Sequence, residues 1–344
     1  MSFIGIGFRR KRTAHVLDVW YPVIHDLYSL ANHSLTHWND TPEGITELSP
    51  EAYSEWQKLY FPTLPKKPPL TNPYADTDIL CFKLIDHQSP IQSTEDAYFR
   101  LQLLSQRLVK PHTIGLTNLF HALPTLAWTN YGPILPDDVP MCQWHSTDYP
   151  LTVSHVDKFP YMVNYHIPSG VRIAKASSVR LGAYLGHGTT VMPSGFINFN
   201  AGTLGTAMVE GRVSAGVVIG DQSDVGGGAS IMGTLSGGNN HVISVGSHCL
   251  LGANSGIGIS LGDGCTVEAG LYLTASKKIT LLDDHNNPVD SAGNPVGENQ
   301  NVVKAMTLSG CSSKVFFNHS QRGHVICKPN TKYAALNTTL HVNH

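Results

Sequence analysis

The chain has 344 residues, of which 41% are hydrophobic and 14% are charged, with 32 glycines, 21 prolines and a formal net charge of −2. This composition excludes a disordered polymer and indicates a folded, turn-rich chain, and the nearly balanced charge disfavours nucleic acid or a membrane as the main partner. We expect a cytoplasmic protein, because the sequence contains no signal-peptide pattern, no membrane-length apolar run and no CxxC pair of cysteines.

The first part of the chain, residues 1–150, is predicted to form an α/β domain. The segment TAHVLDVWYPVIHDLYSLANH (13–33) spaces its apolar residues by three and four, which predicts a helix that Pro22 interrupts. Segments 49–62 and 93–111 each begin with serine, continue with acidic residues and end at proline, so both are predicted helices. The apolar, proline-punctuated segment that follows is predicted to be loop or short strand.

The second part, residues 165–280, carries an aliphatic residue every six positions. This period fits neither a helix nor a single alternating strand, but it suits a parallel β-helix whose flat sides are short strands separated by tight turns. With three sides, the repeat predicts about six coils of about 18 residues. A glycine-rich β-sandwich is the alternative, although it has no reason to keep this period. The hexad residues are Ile173, Val179, Leu185, Val191, Ile197 and Val209, with polar Thr203 interrupting the run; Val213, Ile219, Val225 and Ile231; Val245, Leu251 and Ile257; and Leu261, Val267, Leu273 and Ile279.

Glycine and asparagine residues between the hexads are expected to provide the backbone angles of the corners. The segment MGTLSGGNNHVIS (232–244) is expected to project as a loop. Residues 281–344 are predicted to form a turn-rich loop or hairpin and then a small β cap that covers the end of the solenoid. The predicted corner residues are Gly182, Gly186, Gly220, Gly226, Gly246, Gly252, Gly262 and Asn254.

Five stretches of the chain carry a resemblance to a known family. They are VRLGAYLGHGTTVM, GFINFNAGTLGTAMVEGRVSAGVVIGDQSDVGGGASIMGTLSGG, CLLGANSGIGISLGDGCTVEAGLYLT, QRLVKPH and LAWTNYGP. They resemble the tetrahydrodipicolinate N-succinyltransferases of the longer bacterial type, and FNAGTLGTAMVEGR is the most specific part. The resemblance implies a mainly β fold with a left-handed parallel β-helix, and a homotrimer with active sites between neighbouring prisms. It also implies succinyl-CoA as co-substrate, tetrahydrodipicolinate as acceptor, and a step of the diaminopimelate route to lysine, without a permanently bound cofactor.

Acyl transfer from a thioester to an amine requires a base, and Glu210 is the best candidate for it. It lies between small residues where the period of six slips, and the resemblance implies that it is the catalytic residue, either as base or as carrier of an acyl-anhydride. A solvated charge on a turn is the alternative. Arg212, two residues after Glu210, is expected to point to the same side of a strand as Glu210. Its planar guanidinium suits the succinyl carboxylate, and an ion pair with Glu210 is the alternative.

Further residues are assigned to donor binding by the resemblance. The glycine-rich stretch GGGAS would let the pantetheine arm approach the backbone, and the C-terminal tail would close over CoA. A pair of arginines common in that tail is replaced here by Phe317 and Asn318, so that Lys314 or Lys277 would have to substitute. The donor-binding residues predicted in this way are Gly227, Ser230, Ala253, Glu268, Ala269, Ser276, Lys304, Phe317, Asn318, His319 and Ser320.

No metal site is predicted. Some members of the family carry acids on the threefold axis, where this chain has Ser194 and Ser177, and the pair His241 and His248 fits common zinc spacings poorly. A hexapeptide carbonic anhydrase is therefore a remote alternative. His187 is a second candidate for the base, because other hexapeptide acyltransferases use an imidazole, but we interpret it as a corner residue of the solenoid. The remaining alternatives are a related hexapeptide acyltransferase with another acceptor or donor, and a non-enzymatic solenoid scaffold.

Overall fold

A computed structural model describes most of the chain, and no described helix is long and apolar enough to cross a membrane. The chain forms two compact units, Met1–His166 and Ile167–His344. The described residues are 1–30, 41–64, 73–146, 149–234, 241–297, 299–332 and 336.

The first unit contains a four-stranded antiparallel sheet in the order β2-β1-β4-β3, and a three-stranded antiparallel sheet in the order β6-β5-β7. The strands are β1 (Phe3–Arg12), β2 (His15–Asp26), β3 (Gly44–Leu48), β4 (Asp76–Leu84), β5 (Leu126–Thr129), β6 (Gly132–Ile134) and β7 (Val153–Asp157). The described helices are Leu27–Leu30, Pro50–Tyr60, Thr94–Ser105, Leu119–Ala122 and Val139–His145.

The helix predicted over residues 13–33 is wrong for His15–Asp26, which form strand β2. Leu27–Leu30 is helical, and residues 31–33 lie outside the described residues. Leu17, Val19 and Tyr21 are fully buried, as alternate residues on one face of a strand are, and Asp18 on the other face is also buried, where it pairs with Arg10. Pro22 is tolerated because β2 is an edge strand, and the pairing with β1 is irregular where Tyr21 and Pro22 lie opposite Gly7. The apolar residues of this segment satisfy both periods, and the pairing with β1 selects the strand.

The other two predicted helices are confirmed. Ser49 Oγ accepts a hydrogen bond from the Ala52 backbone N–H at 3.2 Å, and Ser93 Oγ accepts one from the Asp96 N–H at 3.2 Å. Helix Thr94–Ser105 ends earlier than predicted, however, and Arg107 adopts a left-handed φ of 62°. The serine caps therefore predicted where the helices begin more accurately than the prolines predicted where they end.

The second unit contains three sets of short parallel strands that the chain visits in a fixed cyclic order. The first side holds β8 (Arg172–Ile173), β10 (Thr189–Val191), β13 (Ala207–Val209), β16 (Ser223–Val225), β19 (Leu250–Leu251) and β21 (Thr266–Val267). The second side holds β11 (Phe196–Ile197), β14 (Arg212–Val213), β17 (Ser230–Ile231), β20 (Gly256–Ile257) and β22 (Tyr272–Leu273). The third side holds β9 (Tyr184–Leu185), β12 (Gly202–Thr203), β15 (Val218–Ile219) and β18 (Ser244–Val245). This topology fits a parallel β-helix and not a β-sandwich.

The hexad residues point inward as predicted. Every one except Ile173 is at most 3% exposed. Thr203, which breaks the aliphatic run, is also buried, and its hydroxyl lies 2.6 Å from that of Thr189. Paired strands are 18 residues apart in some coils, as between Val191 and Val209, and 16 apart in others, as between Val209 and Val225. The slips after Val209 and after Ile257 therefore mark coils that are two residues shorter. The slip after Ile231 marks a longer coil, in which paired residues such as Ile231 and Ile257 are 26 apart because it contains the predicted loop.

The predicted corner residues fall into two groups. Gly182 and Asn254 adopt left-handed φ values of 91° and 56°, as expected for corners. The predicted reason, a special backbone angle, is wrong for Gly186, Gly220, Gly226, Gly246, Gly252 and Gly262, which have no left-handed φ. At each of these six positions, a Cβ would lie 2.5–2.6 Å from backbone of another segment of the unit. These glycines are required by close stacking rather than by turn geometry.

The C-terminal strands continue the first side. They are β23 (Lys278–Leu281), β24 (Val302–Lys304), β25 (Lys314–Asn318) and β26 (Val325–Pro329). Strand β25 pairs in parallel with β21, and β26 lies between β25 and β23. The segment before β24 forms consecutive turns around Asp283 and Asp290. Of the loop predicted at 232–244, residues 235–240 lie outside the described residues, and Thr234 pairs with Val242 at its base.

Candidate active site

Most of the predicted site residues lie along one edge of the second unit. This edge, which we call the Glu210 edge, is the column of corners that join the first side to the second side. Its successive corners are residues 192–195, 210–211, 226–229, 252–255 and 268–271. Hydrogen bonds link the stacked corners, since the Asn254 N–H donates to Gly227 O and the Gly270 N–H donates to Ala253 O, at 2.8 and 2.9 Å. Neighbouring corners are about 4.8 Å apart, the ordinary spacing of paired strands.

Glu210 occupies the one shortened corner of this edge. Strand β13 ends at Val209 and β14 begins at Arg212, so two residues form this corner where the other four corners have four. The Glu210 side chain is half-buried and lies against Gly227, where a Cβ would be 3.3 Å from Glu210 Oε2. No described residue forms a hydrogen bond or an ion pair with its carboxylate. A carboxylate next to a glycine and without an internal partner is available to a ligand.

Arg212 does not form the alternative ion pair with Glu210. Its guanidinium Nη2 donates instead to Ser230 Oγ at 2.5 Å, across the neighbouring strand of the second side. Ser230 Oγ also accepts a longer hydrogen bond, of 3.4 Å, from Tyr272 Oη. Arg212 is exposed, and within the described ranges its Nε and Nη1 groups donate to no acceptor. The free part of the guanidinium fork can therefore bind an anionic group.

Three corner residues also leave a backbone donor unused. Within the described part of the chain, the backbone N–H groups of Gly227, Ala253 and Ala269 donate no hydrogen bond. Each of them is the second residue of a four-residue corner. The equivalent position in the first corner is Pro193, which has no N–H. The Glu210 edge thus presents a row of three backbone donors with little side chain around them.

Two further predicted residues close the same edge on the C-terminal side. Glu268 Oε2 accepts hydrogen bonds from the Asn318 backbone N–H at 2.7 Å and from its side-chain amide at 3.4 Å. The end of strand β25 is thereby fixed to the corner that contains Ala269. His319 and Ser320 follow directly, and the His319 ring stacks on His324 with a centroid distance of 5.1 Å.

The remaining predicted residues lie elsewhere. Ser276 follows strand β22 and Lys304 ends strand β24, and both are exposed. Phe317 is half-buried within β25. His187, the alternative base, packs against Gly170, where a Cβ would lie 2.3 Å from its ring. Across the described residues, no three His, Cys, Asp or Glu side chains are placed to hold a metal ion.

Tyr272 was not predicted as a site residue from the sequence, although its position in the hexad repeat indicates where it lies. Arg212, Ser230 and Tyr272 each come directly before an inward hexad residue, and the strand register aligns them on the outer face of the second side. Counting hexads therefore locates this row. The contact between Tyr272 and Ser230 also depends on the missing side chain of Gly256, which the period does not predict.

Comparison with known proteins agrees with this architecture. Residues 242–275 match the hexapeptide repeat of succinyl-transferase, and residues 123–161 match the family described as tetrahydrodipicolinate N-succinyltransferase middle. The repeat and the parallel sheets define a hexapeptide-repeat protein of the succinyltransferase class.

Curated relatives and a crystal structure identify the family. The chain is 52% identical over 254 residues to the 2,3,4,5-tetrahydropyridine-2,6-dicarboxylate N-succinyltransferase of Vibrio cholerae, a match that covers 73% of this chain and 71% of the relative. It is 51% identical over 262 residues to the enzyme of that name from Pseudomonas aeruginosa, covering 76% and 73%. A crystal structure of a putative 2,3,4,5-tetrahydropyridine-2-carboxylate N-succinyltransferase from Campylobacter jejuni superposes with a TM-score of 0.77 at 31% identity, covering 96% and 93%. The chain belongs to the tetrahydrodipicolinate N-succinyltransferase family, which confirms the resemblance.

Proposed function

We propose that this protein transfers the succinyl group of succinyl-CoA to the amino group of tetrahydrodipicolinate, in its opened L-2-amino-6-oxopimelate form, and releases CoA. Succinyl transfer to this dicarboxylate is the activity in the names of the curated relatives. The observation that carries the proposal is the shortened corner, which holds the unpartnered Glu210 carboxylate beside Gly227 and the row of free backbone donors.

Glu210 has two possible roles in this reaction. As a base, its carboxylate accepts the proton of the acceptor amine. The nitrogen lone pair then forms a C–N bond to the thioester carbonyl carbon, the C–S bond breaks, and the CoA thiolate takes up a proton. As a nucleophile, the carboxylate attacks the same carbon first, releases CoA and forms an acyl-anhydride, which the amine then opens. Both roles require the carboxylate to be free of internal partners, as that of Glu210 is among the described residues.

The Glu210 edge suits a long, thin donor. We assign the N–H groups of Gly227, Ala253 and Ala269 to the carbonyl oxygens of the donor, with the Gly227 N–H closest to the oxyanion that develops at the thioester. Small side chains along this edge allow the pantetheine arm to lie against the backbone. Arg212 and Ser230 are assigned to the free carboxylate of the succinyl group, because a guanidinium fork and a hydroxyl are suitable donors to it.

The far end of the donor is assigned to the C-terminal strands. The contact between Glu268 and Asn318 places the chain that follows β25 next to the Glu210 edge. His319 and Ser320 are therefore suitable contacts for the nucleotide end of CoA, and the resemblance extends this role to Ser276, Lys304 and Phe317. Succinyl-CoA acts as co-substrate, and we propose no permanently bound cofactor.

The finer architecture belongs to the same proposal. We expect the coils to be left-handed and three copies to assemble into a cytoplasmic homotrimer, with each active site between neighbouring prisms. The parallel three-sided topology supports the β-helix itself, and the family resemblance implies its handedness, the trimer and the shared active sites. The reaction would be a step of diaminopimelate and lysine biosynthesis.

Release of CoA thiol from succinyl-CoA and from acetyl-CoA, with and without the dicarboxylate acceptor, tests the proposal. We expect acceptor-dependent release from succinyl-CoA, at least about tenfold faster than from acetyl-CoA, and an acceptor that gains one succinyl group by mass spectrometry. Equal use of both donors would instead indicate a related acyltransferase. No release, together with no CoA-dependent shift of the melting temperature, would indicate a scaffold.

A further inference from the structure

On the outer face of the second side, Tyr272 of β22 contacts Ser230 of β17 across the intervening strand β20. Arg212, Ser230, Gly256 and Tyr272 are aligned by the parallel register of β14, β17, β20 and β22. The Tyr272 ring lies over Gly256, where a Cβ would be 2.1–2.4 Å from three of its ring carbons. The bare Gly256 therefore lets Tyr272, which is 37% exposed, reach the strand beyond and donate to Ser230 Oγ at 3.4 Å.

This contact determines what the Ser230 hydroxyl can do. A serine hydroxyl has one proton and two lone pairs. Ser230 Oγ accepts hydrogen bonds from both Arg212 Nη2 and Tyr272 Oη. With both lone pairs of Ser230 Oγ occupied, the hydroxyl can form a further hydrogen bond only by donating its proton. None of the described residues accepts that proton. Ser230 is thus left as a donor beside the unused Nε and Nη1 groups of Arg212.

We propose that Tyr272 is a positioning residue for donor recognition. By occupying an acceptor site of Ser230, it orients the hydroxyl proton toward the place where the Arg212 fork binds a carboxylate. The inference rests on the proposed function, in which that carboxylate is the free end of the succinyl group. Acetyl-CoA and CoA have no such group, so Tyr272 should affect the choice of donor rather than CoA binding in general.

The substitution Tyr272→Phe tests this role, because it removes the hydroxyl and keeps the ring over Gly256. Isothermal titration calorimetry on the full chain should give a Kd for succinyl-CoA that rises about three- to tenfold, the usual effect of one lost hydrogen bond. The Kd values for acetyl-CoA and CoA should stay within about twofold. Tyr184→Phe, which removes a hydroxyl from strand β9 on the third side, is the matched control and should change none of the three values.

A second variant separates positioning from a structural effect. In a Ser230→Ala background, Tyr272→Phe should weaken succinyl-CoA binding no further, because both changes act through the same hydroxyl. Equal weakening of all three ligands, or an undiminished effect in the Ser230→Ala background, would overturn the proposal. If the unchanged protein does not prefer succinyl-CoA to acetyl-CoA, the proposed function itself fails. A preference that Tyr272→Phe leaves intact contradicts the role of Tyr272 alone.

Discussion

The Glu210 carboxylate lies directly against the bare Cα of Gly227, where an added Cβ would be 3.3 Å from Glu210 Oε2. Gly227 has no left-handed φ, so alanine can adopt its backbone conformation. We expect Gly227→Ala to displace the carboxylate by a few tenths of an ångström and to lower kcat about tenfold, since catalysis depends on its position. Steady-state kinetics and donor titration would check this, with the Kd for succinyl-CoA changed by less than about threefold.

Gly297→Ala is the control for this variant. Its added Cβ would make only ordinary contacts, the closest at 3.7 Å to the Gln300 side chain. This variant should keep the unchanged kcat and melting temperature. If Gly227→Ala behaves in the same way, the position of Glu210 is not critical and its assignment as the reacting carboxylate is weakened.

The substitution Glu210→Gln tests the reacting group itself. The amide keeps the size of the side chain but is neither a base nor a nucleophile of comparable strength. We expect kcat to fall by about 10²- to 10⁴-fold while succinyl-CoA still binds, because the row of backbone donors and Arg212 remain. Single-turnover experiments with radiolabelled succinyl-CoA would also detect any acylated protein. Turnover close to that of the unchanged protein would remove Glu210 from the mechanism.

Much of the second unit could be predicted because its signal is periodic. Each coil places one side chain inward at an equivalent point, so the hexad residues are found by counting, and even polar Thr203 keeps its inward position. The slip after Val209 could also be read from the sequence. Its consequence, a corner with two residues where its neighbours have four, required the strand bounds on both sides of the edge.

Contacts that depend on the pairing of distant segments could not be predicted in this way. The segment 13–33 contains one set of apolar residues spaced by three and four, including Val16, Trp20 and Val23, and another set that alternates, Leu17, Val19 and Tyr21. The choice between helix and strand depends on the pairing with β1. In the same way, a glycine required by turn geometry and one required by close stacking look alike in the sequence. The reach of Tyr272 across Gly256 likewise depends on which coils are neighbours.

The two kinds of glycine should differ in the cost of replacement. At Gly220 an added Cβ would lie 2.5 Å from backbone atoms of Gly246 and Ser247, which cannot move without separating the coils. At Gly310, where φ is 80°, nothing lies within 4 Å. We expect Gly310→Ala to cost about 1–2 kcal/mol of backbone strain and Gly220→Ala to lower the melting temperature by clearly more. Differential scanning calorimetry would check this order, and a larger loss in Gly310→Ala would contradict it.

The first unit contains an ion cluster that should make its stability depend on pH. Arg9, which is 6% exposed, donates to both Asp78 oxygens at 2.9 and 2.8 Å, and Lys11 also contacts this carboxylate. Burial alone would raise the pKa of Asp78, but the hydrogen bonds from Arg9 and Lys11 outweigh it and lower that pKa below its usual value. A carboxyl whose pKa is lowered on folding stabilises the protein above its unfolded pKa of about 3.9. That contribution is lost as the pH falls through the folded pKa.

The substitution Asp78→Asn should remove this part of the pH dependence. We expect the variant to melt at a lower temperature than the unchanged protein at pH 7, because Arg9 then keeps, of its carboxylate partners among the described residues, those of Glu47 and Glu95. The difference should shrink as the pH falls below about 4, where protonation of Asp78 weakens the same contact in the unchanged protein. Asp76→Asn, two residues away on β4, is the control, because Asp76 is exposed and has no ion-pair partner among the described residues. Melting curves measured from pH 3 to pH 7 (about the range in which carboxyl groups titrate) would reveal the convergence. A constant difference across this range would mean that Asp78 contributes through packing and not through its charge.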